Sequence, residues 1–101
     1  MSAKIESQGT IEIICENRDE VSPNRQARII FRAWDDATPP FQIRVRSPTG
    51  NTIVERVIRA LPTGAAQSPD PVTFTVQAGN YEVSIAQLRG SAEGKAVLVV
   101  S

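Results

Sequence analysis

Valine and isoleucine together occupy twenty of the 101 positions, against three leucines. Branching at Cβ stiffens these side chains in a helix but lets them pack well on a pleated sheet, so the chain is expected to be all-β. Their placement agrees with this. Apolar residues recur at every second position over short runs, which is the period of a half-buried strand and not of a helix.

Seven such runs can be traced. Residues 9–16 place Ile11, Ile13 and Cys15 on one face, and residues 26–34 place Ala27, Ile29, Phe31 and Ala33 together. Residues 41–46 alternate without a break, with Phe41, Ile43 and Val45 inward. Over 52–59 two parities compete, Val54, Arg56 and Ile58 against Ile53, Glu55 and Val57, which predicts an edge strand or a bulge. Residues 72–76 and 81–85 flank a tight turn, and 95–100 carry apolar residues on both parities, as a strand covered on both faces would. Pro39-Pro40, Ser47-Pro48-Thr49-Gly50 and Arg89-Gly90-Ser91 punctuate these runs, because proline lacks the amide a ladder needs and glycine accepts a positive φ. The stretch from Leu61 to Pro71 is the longest irregular one and the first place to look for a site. Seven short strands in about 100 residues predict one domain over 1–101, a seven-stranded antiparallel two-sheet sandwich, with a small closed barrel as the competing fold.

Charge and residue types narrow the function. Eleven Lys and Arg balance eleven Asp and Glu, which removes the broad attraction that drives binding to nucleic acid or anionic membranes. No run approaches the roughly 18 apolar residues of a membrane-spanning helix, and residues 1–6 have no apolar signal-peptide core, so no membrane insertion is expected. With no histidine and one cysteine, a histidine-based triad, a histidine-ligated metal and an internal disulfide are ruled out for this chain alone. The expectation is a protein that is not an enzyme and carries no cofactor. The unpaired cysteine fits a reducing cytoplasm, and a module of an exported protein would read the same.

The run Arg32-Ala33-Trp34-Asp35-Asp36-Ala37-Thr38-Pro39-Pro40-Phe41-Gln42-Ile43-Arg44-Val45 resembles the second strand, proline-bearing loop and third strand of a fibronectin type III or related immunoglobulin-like module. Phe74-Thr75-Val76-Gln77-Ala78-Gly79-Asn80-Tyr81-Glu82-Val83 is similar to the corner of such modules where a tyrosine anchors a loop through its hydroxyl, and Tyr81 holds that position. The resemblance implies an immunoglobulin-like sandwich that serves as a recognition unit or spacer, using loops at its ends or an exposed sheet face.

Two groups of residues are candidate sites. In immunoglobulin order three loops gather at one end and bring together Trp34, Asp35, Asp36, Asp70 and Glu93, a set suited to Ca²⁺ or, with the indole and neighbouring prolines, a sugar ring. The competing reading makes Asp35 and Asp36 turn formers, packs Trp34 under its own loop, and is favoured by the lack of a regular calcium-loop spacing. The second group is a surface of Ile30, Arg44, Arg46, Val97 and Val99: Ile14, Ile30, Val97 and Val99 are expected either to form an exposed apolar strip beside the outward arginines or to have their parity shifted by a bulge. Arg28 and Arg32 are expected to face Glu12 and Glu16, and Arg44 to face Glu82, which favours a salt-bridged surface over an anion site. The leading expectation is a non-catalytic interaction module with a protein partner or a second copy of itself. A loop-end calcium or carbohydrate binder is the alternative, and a carboxylate hydrolase is the remote one.

Overall fold

The computed structural model describes residues 2–19, 21, 25–33, 39–59 and 71–101. Among the described residues eight strands run in chain order: β1 (Ala3–Gly9), β2 (Ile11–Cys15), β3 (Gln26–Ala33), β4 (Phe41–Arg46), β5 (Thr52–Ile58), β6 (Val72–Thr75), β7 (Gly79–Gln87) and β8 (Glu93–Val100). They form a five-stranded sheet in the order β1-β8-β7-β4-β5 and a three-stranded sheet in the order β2-β3-β6. Every pairing is antiparallel.

The all-β, two-sheet expectation holds, and the alternation explains it. Ile11, Ile13, Ile29 and Phe31 from the smaller sheet and Phe41, Ile43, Val45, Val83, Ile85 and Leu98 from the larger are all within 1% of full burial, in one core cluster. Each such side chain contributes about 1.5–3 kcal/mol by leaving water. The single inward-facing parity of every strand is therefore what joins the sheets into a sandwich-like pair of layers.

The strand count departs from seven. β1 is the additional strand, and its weak signal has a physical cause. Only Ala3 and Ile5 are apolar on its inner parity; at the third inner position Ser7 instead accepts a hydrogen bond from the Ile13 amide, 2.9 Å away. A polar residue in that role breaks the alternation that marks a strand.

The ambiguous run at 52–59 resolves as both an edge and a bulge. β5 is the last strand of its sheet, and its register with β4 shifts between Val45 and Arg46, which pair with Val54 and Thr52, so Ile53 is the extra residue. Ile58 turns into the core, while Ile53, Glu55 and Val57 face out. In β8, Gly94, Ala96, Leu98 and Val100 face in, but Val97 and Val99 remain 41% and 42% exposed. Covering on both faces, as the mixed parity of 95–100 suggested, is not seen: its second apolar row faces outward.

Candidate functional site

The ladder registers assign every outward side chain to a row. On the three-stranded sheet, Glu12 lies opposite Arg32 and Ile14 opposite Ile30, and just past β2 the Glu16 amide donates to the Arg28 carbonyl at 2.8 Å. The outer pairs are closed by ion pairs, Arg32 Nη1 to Glu12 Oε1 at 3.3 Å and Arg28 Nη1 to Glu16 Oε1 at 3.0 Å. The two isoleucines therefore sit between two rungs whose long alkyl stems flank them. Ile30 is only 3% exposed and Ile14 is half-buried.

The outer face of the five-stranded sheet is different. One row runs Glu6, Val97, Glu82, Arg46 and the next runs Gln8, Lys95, Ser84, Arg44, Glu55. Side chains of Glu6, Gln8, Lys95, Glu82, Arg44 and Arg46 surround an open depression of about 550 Å³. Its charges are balanced: Arg44 Nε lies 3.3 Å from Glu55 Oε2 and Arg46 Nη1 lies 3.9 Å from Glu82 Oε2. Beside it stand Val97 and Val99, and beyond β4 stand Ile53 and Val57, 43% and 44% exposed. Four large apolar side chains thus flank a polar, charge-alternating centre on one face.

These positions redraw the sequence-derived surface. Arg44, Arg46, Val97 and Val99 do share the five-stranded sheet. Ile30 does not belong with them, because it lies on the other sheet and is buried; alternation placed it outward without revealing that it would be shielded from water. The strip is split between two layers. The pairs Arg28–Glu16 and Arg32–Glu12 form as expected, whereas Arg44 pairs with Glu55 on β5 and it is Arg46 that reaches Glu82. The correction follows from register: Arg44 stands opposite Ser84 on β7 and opposite Glu55 on β5. The sequence alone does not single out Glu6 and Gln8, since β1 lacks the alternation of a strand, nor Lys95, whose strand is legible but whose row on the sheet depends on register.

Of the loop-end group, Trp34, Asp35, Asp36 and Asp70 lie outside the described residues. Glu93 opens β8 with its carboxylate exposed, and its backbone joins the two sheets. Its amide donates to Thr10 Oγ1 at 3.2 Å, and its carbonyl accepts from the Thr10 amide at 2.9 Å. Among the described residues no three His, Cys, Asp or Glu side chains are grouped as metal ligands.

Two buried polar groups have structural partners. Asn17 Nδ2 donates to the Gln26 carbonyl and Asn17 Oδ1 accepts from the Arg28 amide, both at 2.8 Å, tying the β2–β3 connection to β3. Tyr81 receives the Gln77 amide on its hydroxyl at 2.8 Å, and its ring packs on Phe74 with centroids 5.7 Å apart. Burial pushes the Cys15 thiol above its ordinary pKa, partly countered by hydrogen bonds from the Asn17 and Arg28 region and by the charges of Arg18 and Arg28. A neutral, enclosed thiol is a poor nucleophile.

The chain matches no known family model, no curated protein and no solved structure. Its class is accordingly defined by its own geometry: an all-β protein of two antiparallel sheets, one face closed and one open.

Proposed function

We propose that this chain is a non-catalytic interaction module of immunoglobulin-like architecture that meets a protein partner with the outer face of its five-stranded sheet. The architecture is supported by the strand order, with β2-β3-β6 against β8-β7-β4 and the first two strands divided between the sheets. The hydroxyl of Tyr81 on the Gln77 amide supports it as well.

The observation that carries the choice of face is the contrast between the sheets. Ile30 is buried and Ile14 half-buried on the outer side of the smaller sheet, whereas Val97 and Val99 stay more than two-fifths exposed beside an open depression. Apolar positions left uncovered within a charge-balanced surface suit a partner of mixed polarity, because burial supplies affinity and the alternating charges set register.

The test is site-specific photocrosslinking in the native cell, with a benzophenone residue at Val97 or, on the closed sheet, at Thr73. A discrete adduct from position 97 and none from position 73 is the expected result. Adducts in equal yield from both positions, or from neither, would refute the choice of face.

A further inference from the structure

The two sides of the sandwich are finished differently. Where β1 passes into β2 the sheets are stitched: the Ala3 amide donates to the Arg18 carbonyl at 3.0 Å, the Ile13 amide to Ser7 Oγ at 2.9 Å, and the Thr10 amide to the Glu93 carbonyl. On the opposite side the seven-residue β5 stands near the four-residue β6. Among the described residues the hydrogen bond reaching from β5 toward that neighbour is Arg56 Nη2 to the Pro71 carbonyl, at 3.5 Å. Among the described residues no strand pairs with the free side of β5, and an edge strand with exposed Ile53 and Val57 is a template for another strand.

We infer that β5 pairs antiparallel with β5 of a second copy about a two-fold axis through Glu55, joining the five-stranded sheets of two molecules edge to edge. The occupant follows from the sequence of the strand itself. Its outward residues, Ile53, Glu55 and Val57, are symmetric in character about Glu55. Antiparallel partners that stand opposite each other point to the same face, so outer faces stay together only in registers whose paired numbers have an even sum.

Three such registers overlap well. Centring on Val54 sets Ile53 against Glu55, and centring on Arg56 sets Val57 against Glu55 and two Arg56 side chains against each other. Centring on Glu55 sets Ile53 against Val57 twice and places Val54 opposite Arg56. Four apolar side chains are buried only in that register. The two Glu55 carboxylates then meet, each held by its own Arg44 at 3.3 Å. That residual repulsion, together with the bulge that ends the regular run at Val54, keeps the association weak and reversible. The β5 edge adjoins the face argued above and shares Ile53, Glu55 and Val57 with it; the adduct at position 97 and the register at position 55 are read independently, so either assignment can fail alone.

Disulfide trapping reads the register directly. In a Cys15→Ala background, Glu55→Cys is expected to form an intermolecular disulfide under mild oxidation. Ile53→Cys and Val57→Cys are expected to stay monomeric separately and to crosslink when mixed, since only opposite residues bring their Cβ atoms within disulfide range. Sedimentation velocity supplies a readout without cysteines: Glu55→Gln tightens the dimer and Val57→Lys abolishes it. Crosslinking of Ile53→Cys with itself, or a Glu55→Gln protein that stays monomeric across the concentration series, overturns the inference. Circular dichroism of each variant separates loss of association from loss of fold.

Discussion

Gly9 and Gly94 stand directly opposite each other where β1 ends against β8, and neither position has room for a side chain. Gly9 adopts a φ of +105°, and a Cβ on it would lie 2.5 Å from the Glu93 carbonyl oxygen; one on Gly94 would meet the Ile11 carbonyl. The facing pair lets the chain leave the five-stranded sheet at Gly9 and enter the three-stranded sheet at Ile11. Replacing Gly9 by alanine is expected to cost at least about 1–3 kcal/mol through backbone strain alone. Thermal denaturation should show both Gly9→Ala and Gly94→Ala melting well below the parent, and an unchanged melting temperature for Gly9→Ala would contradict the switch-point role.

Asn17 is a buried polar side chain, with donor and acceptor both used. Asn17→Ala strands the Arg28 amide and the Gln26 carbonyl, at roughly 1–3 kcal/mol for each group left unsatisfied. Urea titration is expected to show a lower midpoint with an unchanged slope. A loss below about 0.5 kcal/mol would mean that water replaces the amide freely, at odds with the cost of a buried unpaired group.

Tyr81→Phe isolates a single hydrogen bond, because the ring and its contact with Phe74 are kept. The Gln77 amide loses its acceptor, and the expected cost is about 1–3 kcal/mol if that amide stays out of water and about 0.5–1.5 kcal/mol if it does not. Hydrogen exchange at Gln77, measured by NMR, should accelerate in the variant while exchange in β2 does not.

Cys15 sets a pH dependence whose sign follows from burial. Its folded pKa is raised above that of the unfolded thiol, about 8.5. Between those values the unfolded chain has lost a proton that the folded chain keeps, so stability falls as pH rises. The contribution is whole below about pH 8.5 and is lost as pH climbs through the folded pKa. Denaturation from pH 7 to 10 should show a decline that is shallower in Cys15→Ala, and equal slopes in the two proteins would show that the thiol is not enclosed when folded.

The ion pairs over Ile14 and Ile30 make a different prediction. The Arg28–Glu16 and Arg32–Glu12 charges are partly exposed and are worth about 0.2–1 kcal/mol each as pairs. Their stems stand on the rows to either side of Ile14 and Ile30. Substituting Arg28 and Arg32 together by serine is expected to uncover the two isoleucines and raise binding of a hydrophobic dye, and a fluorescence signal equal to that of the parent would show that the isoleucines are covered by something else.

Much of the architecture was legible before any coordinates. Phe41, Ile43 and Val45, and likewise Tyr81, Val83 and Ile85, alternate strictly, and a two-residue period has only one inner face to offer. The edge-or-bulge reading of β5 was also available, because two parities competed within one run. β1 was less visible, since Ser7 satisfies a neighbouring strand's amide where an apolar residue would have signalled an inner face. The partners of Arg44 and Arg46 were harder still: sequence shows which way an arginine points but not which carboxylate the register brings beside it.

Alternation of β-branched residues by itself determined that the chain is all-β and which side of the strictly alternating strands, such as β4 and β7, is buried, because side-chain direction in a strand is a local property of the backbone. The tertiary structure alone decided the sheet each strand joins, the carboxylate each arginine meets, and why Ile30 is covered while Val97 is open. Those outcomes depend on register between strands distant in sequence, where one step of slip exchanges every neighbour.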